Sequence, residues 1–167
     1  MFALDGGIVQ PRILNPDKAL RTLRKTPALL DFVLAGLDET TASTLRDGPD
    51  GWSILFIACH LRDYERVVAA RIEAMLAAAD PSLPSMDNDA LVRDGDYAAQ
   101  SLTAVREELR AMRTTLLDRL VSLDTAQWQR PGHHPQQGAA TVLDVAINAG
   151  LHDIDHLEQI ARCRVGR

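Results

Sequence analysis

Between two stretches of helical periodicity, about Ser53 to Ala79 and about Tyr97 to Leu123, lie 17 residues rich in Pro, Asp and Ser, from Asp80 to Asp96. Fully extended, such a segment reaches roughly 55 Å. A helix of the preceding length measures only about 40 Å. The chain can therefore cross a whole bundle and begin its third helix at the end where the second began. Two more periodic stretches, about Asp17 to Leu37 and Thr141 to about Arg164, make four, and a second long connection runs from Asp124 to Ala140. The expected fold is all-α: a four-helix bundle, up-down-down-up, with a long crossover between helices 2 and 3. A helical turn around Asp89 to Val92 is expected inside the crossover.

Punctuation in the sequence sets the helix ends. Asn15-Pro16 opens the first helix, and Thr26-Pro27 reads as a fresh N-cap with proline at the first helical position, which would split that helix in two. Ser53 caps the second and Asp80-Pro81 stops it. Thr141 caps the fourth, and Gly166 lies just past its end. The core must be built from Leu, Ala, Val and Ile, because aromatics are only 4% of the chain, and that mix favours helices over sheet. No repeat or linker breaks the sequence, so residues 1–167 are expected to form a single domain.

Charge excludes one class of partner. Arg outnumbers Lys 16 to 2, but the net charge is −5 and the basic residues are dispersed among acids, so no nucleic acid is expected as partner. No apolar run approaches the roughly 20 residues of a membrane span. The start, Met1-Phe2-Ala3-Leu4-Asp5, lacks the charge and apolar block of a signal peptide. Cys59 and Cys163 form no CxxC pair and fit no disulfide scaffold. A cytoplasmic protein is expected.

The histidines carry the chemistry. His152 and His156 are four apart, which stacks them on one helix face within reach of a shared metal. They fall on the stripe Val145, Ala149, His152, His156, Ile160 and Cys163, while Asp144, Asn148, Asp155 and Arg162 mark the outer face. His60 shares an inner stripe with Phe56, Ile57, Tyr64 and Val67. If the second and fourth helices are antiparallel, as an up-down-down-up bundle requires, all three rings come to one height. Inward imidazoles are costly unless their nitrogens are satisfied. A three-His divalent metal site with open positions would satisfy them. On spacing and direction alone, hydrogen-bonded core histidines are an equal explanation.

The neighbours divide. Asp63, three residues after His60, either orients a ligand or a metal-bound water, or is a solvated acid beside Arg62 and Arg66. Gln159, one turn after His156, either contacts a ligand or lies at the bundle edge. His133 and His134 fall in a Pro-rich loop and are expected to be exposed; His134 becomes an acid or base candidate if that loop folds over the bundle mouth. Glu65 points elsewhere and reads as structural, and Cys59 and Cys163 read as packing. Asp153 invites comparison with the HExxH proteases, but it is one methylene too short and the third histidine lies far upstream, so that reading is rejected. No GxSxG, GxGxxG, Walker or DxDxDG motif occurs.

Trp52-Ser53, then His60-Leu61-Arg62-Asp63-Tyr64-Glu65, resembles the WS…HLxDxE signature of the DinB/YfiT-like superfamily of metalloenzymes. His134-Pro135, Gly138, Thr141 and then His152-Asp153, His156 and Gln159-Ile160 resemble its HP…G…T…HDxxHxxQI ending. The resemblance runs from about Thr26 to Arg164; the first 25 residues and the loop from Pro81 to Asp94 match nothing distinctive. It implies a four-helix bundle in which His60, His152 and His156 bind a divalent metal. It further implies transfer of a low-molecular-weight thiol, such as bacillithiol, mycothiol or glutathione, to an electrophilic small molecule. A metal-dependent hydrolase of a small ester or amide is the alternative, and a stress-associated bundle with a structural metal is a third. Zinc, nickel and iron suit three imidazoles alike. A homodimer is expected, since bundles of this family often pair through helices.

Overall fold

The computed structural model describes residues 14–166. The reading of the start at Met1 as free of a signal peptide falls outside the described residues. Four long helices make the bundle: α1 (Pro16–Leu34), α3 (Ile54–Ala77), α5 (Leu102–Val121) and α7 (Val142–Val165). Short helices α2 (Glu39–Thr44), α4 (Asn88–Asp94) and α6 (Thr125–Trp128) lie in the connections, with a single 3-10 turn at Tyr97–Ala99. Side chains of Asn15, Ser53, Ser101 and Thr141 each accept a backbone N–H in the first turn of a long helix. Thr141 and Asp144 complete a reciprocal capping box. Gly166, with φ 69°, ends α7 in the left-handed conformation that glycine tolerates best.

Side-chain pairings fix the helix directions. Arg62 with Glu108, Glu65 with Arg113 and Glu73 with Arg119 rise together along α3 and α5, which are therefore parallel. His60 with His152 and Tyr64 with Asn148 run in opposite senses, so α3 and α7 are antiparallel. Thr26 with Asp153 and Val33 with Arg164 make α1 and α7 parallel. The order is up-down-down-up, and the crossover containing α4 returns the chain to the starting end, as its length requires. Where α1 and α7 pass, Gly150 keeps them close: a Cβ there would lie 2.7 Å from Thr22 Cγ2.

Three expectations on the elements need correction. First, α1 is continuous through Pro27 and stops at Leu34. Proline cannot supply the N–H that the carbonyl of Leu23, four residues back, would accept. That carbonyl accepts from Arg113 Nη1 instead, at 3.1 Å. Second, α5 begins at Leu102, not Tyr97. Tyr97 is 1% exposed, packs edge-on against Phe56 and donates its hydroxyl to Asp63, so the chain must turn before the helix can start. Third, the segment after α5 is not a bare loop: β1 (Pro131–His134) pairs antiparallel with β2 (Gly138–Thr141). The crossover clasps this hairpin, Leu83 N–H donating to His133 and His133 N–H donating to Pro81, both at 2.8 Å.

The core falls into two apolar halves. Leu30, Ile57, Leu61, Leu109 and Leu157 belong to one, and Leu23, Val68, Leu116, Ala149 and Ala146 to the other. Between them each long helix contributes one buried polar residue: Thr26, Glu65, Arg113 and Asp153. Arg113 binds Glu65 through Nε and Nη2 at 2.7 and 2.8 Å. Its Nη1 donates to Thr26 at 2.7 Å and pairs with Asp153 at 2.9 Å, and Thr26 donates to Asp153 in turn. One guanidinium thus ties all four helices at one height. Among the described residues no helix is long and apolar enough to cross a membrane.

Candidate metal centre

His60 comes from the second turn of α3 and is 4% exposed; His152 and His156 come from successive turns of α7 and are half-buried. The antiparallel packing brings them to one height. One ring nitrogen from each lies within 4.8 Å of the others. His60 Nε2 and His152 Nε2 face each other at 3.0 Å. Two imidazole nitrogens bound to one tetrahedral ion would stand about 3.3 Å apart, so the pair is already spaced for a shared cation.

The surroundings keep His60 and His152 neutral and hold the rings in place. Burial, then the charge of His156, pushes His60 down to about 4, with Asp63 opposing weakly. Burial, then His156 and His60, pushes His152 down to about 3. Neutral imidazole is the form that donates an electron pair to a metal. Tyr64 stacks on His152 with ring centroids 3.7 Å apart, and Trp52 tilts against His60 at 5.0 Å. His156 Nδ1 donates to Gln159 Oε1 at 2.8 Å, which leaves its Nε2 as an acceptor; Gln159 is held in turn by Asp47. His152 Nδ1 is buried without a partner. Three imidazole nitrogens that converge in this way fit a divalent cation.

Asp63 is not one of the converging ligands, although its charge reaches His60. Its carboxylate accepts from Arg62 at 2.9 Å, Arg66 at 2.6 Å and the Tyr97 hydroxyl at 2.7 Å. It is 4% exposed, so the solvated reading fails as well: it is an internal clamp between α3 and the crossover. His134 is also not exposed, at 4%, because the hairpin folds it inward while His133 faces out. Its Nε2 sits 3.0 Å from Arg71 Nη2. His134 is not part of the three-histidine group. It lines an adjacent cavity of about 310 Å³ together with Tyr64, Arg71 and Asn148.

Both cysteines are packed. Burial raises the Cys59 thiol to about 12 and raises Cys163 as well, which leaves neither as a ready nucleophile. Arg71, Arg113 and Asp153 escaped the sequence reading as parts of the interior. A signal existed for two of them. Arg113 sits between Leu109 and Leu116, and Asp153 between Ala149 and Leu157, both at apolar-stripe spacing.

Comparison with known proteins completes the description. The sequence model described as the DinB superfamily matches residues 22–160. YfiT from Bacillus subtilis, described as a probable metal-dependent hydrolase with an unusual four-helix bundle topology, has a TM-score of 0.78 at 21% identity, covering 94% of this chain and 93% of that one. TT2238, described as a four-helix bundle protein, has a TM-score of 0.62 at 24% identity over 86% and 96% of the two chains. An uncharacterized protein from Clostridium difficile 630 has a TM-score of 0.72 at 12% identity over 90% and 96%. At these identities the likeness is one of fold. No curated protein matches the chain.

Proposed function

Because the chain belongs to the DinB superfamily, we propose that it is a metal-dependent enzyme that transfers a low-molecular-weight thiol to an electrophilic small molecule, with His60, His152 and His156 holding one divalent ion. Zinc, nickel or iron would suit the donor set. Such an ion supplies Lewis acidity, which draws the proton from a thiol or a water at an open coordination position. The residues of the chain do the rest. Gln159 fixes the tautomer of His156, Tyr64 and Trp52 exclude water from the rings, and the two helices hold the nitrogens at a set spacing. The sulfur forms the new bond to the electrophilic carbon as the bond to the leaving group breaks, that group keeps the bonding pair, and the thiol proton passes to solvent or to it.

One observation carries the preference for a thiol: among the described residues no carboxylate is free to act as base beside the three rings. Among the described residues no ion pair joins an acid to any of them, Asp63 is held by two arginines and a tyrosine, and Glu65 and Asp153 are held by Arg113. Water at a metal gains most from a positioned base. A thiol, being far more acidic, needs none. The description of YfiT as a probable metal-dependent hydrolase favours a second reading, hydrolysis of a small ester or amide.

The experiment supplies purified, metal-loaded protein with a thiol panel and a generic electrophile, then with simple esters and amides alone. Consumption of thiol and electrophile together, with sulfur in the product and loss of activity on chelation, is expected. Thiol-free hydrolysis that is lost on chelation would overturn thiol transfer and leave hydrolysis standing. A homodimer belongs to the same proposal, with the 78% exposed Phe32 of α1 as an apolar contact; light scattering at micromolar concentration should return twice the monomer mass.

A further inference from the structure

Arg71 is 6% exposed, yet among the described residues no carboxylate pairs with it. A buried guanidinium without a counter-charge is costly, and its retention calls for a partner. Its Nε donates to the Pro84 carbonyl at 2.9 Å, and its Nη2 meets His134 Nε2 at 3.0 Å. His134 Nδ1 already accepts the backbone N–H groups of Gln136 and Gln137, both at 3.2 Å. Guanidinium offers only donors, and a neutral imidazole has only one acceptor nitrogen. Three donors therefore compete for it. With Nδ1 accepting, the proton resides on Nε2 and points at the Arg71 N–H, donor against donor.

Tyr64 adds another donor. Its hydroxyl oxygen accepts from Asn148 Nδ2 at 2.8 Å, and no described residue accepts its own proton. Arg71, His134 and Tyr64 line the same cavity of about 310 Å³. The other face of the Tyr64 ring stacks on His152. A space rimmed by unspent donors, one of them cationic, is complementary to an oxyanion. An oxyanion accepting from Nη2 and from Nε2–H together would also relieve the clash between them.

We propose that Arg71, His134 and Tyr64 form a subsite for the carboxylate of the small molecule handled at the histidine group. A carboxylate fits better than a phosphate, because one guanidinium balances one negative charge. The carboxylate of Asp144, also on the cavity wall, opposes a second. Burial and Arg71 both hold His134 below its ordinary range, so at neutral pH it brings one donor and no further charge.

That the anion is the tail of the metal site's substrate rests on the proposed function; the subsite itself does not, so binding is measured on chelator-treated protein. Succinate is titrated calorimetrically against neutral succinamide and inorganic phosphate. Saturable succinate binding at least tenfold tighter than succinamide is expected, and Arg71→Gln should weaken it tenfold or more while Arg71→Lys retains part. Independently of any variant, the ring 15N resonances of His134 should shift with succinate and stay fixed with succinamide. Equal binding of both probes, tighter binding of phosphate, or unmoved His134 resonances would overturn the proposal. Succinate binding in a protein that takes up no metal would remove the metal reading and leave the subsite in place.

Discussion

His152 and Asp153 are consecutive on α7, but they belong to regions built on opposite terms. Asp153 turns into the polar layer, where Thr26 and Arg113 satisfy it and one guanidinium serves both carboxylates. His152 turns toward α3, where its Nε2 faces another imidazole nitrogen and its Nδ1 has nothing. Burial alone is not the difference, since both are withdrawn from water in large part, Asp153 more than His152. The difference is whether the interior supplies the partners. A fully satisfied buried network specifies how helices register, whereas convergent unsatisfied donors or acceptors mark a place for something from outside.

The largest effect that could break this contrast comes from the polar layer. Arg113→Ala would strand Glu65 and Asp153, whose burial already pushes the Glu65 carboxyl up against the pull of Arg113. Removing one member of a buried charge network costs about 3–5 kcal/mol, read as a fall in the urea midpoint. Replacing all three charges together, as Glu65→Leu, Arg113→Met and Asp153→Leu, should restore most of that loss. A single variant as stable as the parent would show that the layer is not a closed network.

The histidines should respond the other way. His60→Ala and His152→Ala are each expected to abolish stoichiometric metal uptake, measured by elemental analysis, without unfolding the chain. Full occupancy in either would dissolve the three-His site. Acid gives a third, graded test on metal-free protein. His60 and His152 are held at about 4 and about 3 in the fold, below the usual 6.5, so the unfolded chain binds protons first. Stability should be intact above pH 6.5 and decline as the pH falls from there toward 4. His152→Ala should flatten that decline, and an unchanged slope would place the acid response elsewhere. The smallest effect is expected from Gln159→Ala, which frees the His156 ring and should weaken metal affinity about tenfold, measured by competition with a chelator.

Sequence periodicity carried the large features because they depend on repetition. The crossover length implies the parallel pairing of α3 and α5, and the inward stripes at matched heights imply the meeting of His60, His152 and His156. What escaped depends on single partners far along the chain. Pro27 stays inside α1 only because Arg113 takes the carbonyl that proline leaves unbonded, 90 residues away in sequence. His134 is buried because the crossover binds both the N–H and the C=O of His133 and holds the hairpin against the bundle. Asp63 looked like a free acid beside the histidines because Tyr97, its decisive partner, sits in a segment that reads as helix.

The up-down-down-up order also has a consequence in time. His60 and His152 are separated by 92 residues, so an ion bridging them would close a loop spanning more than half the molecule. Closing so long a loop is entropically unfavourable in an unfolded chain. As the chain is synthesised, His60 emerges with no partner, and the pair on α7 comes only near the end. Early capture of a cation by a half-made site is disfavoured, and an ion bound there would be the last fastening of a bundle already assembled.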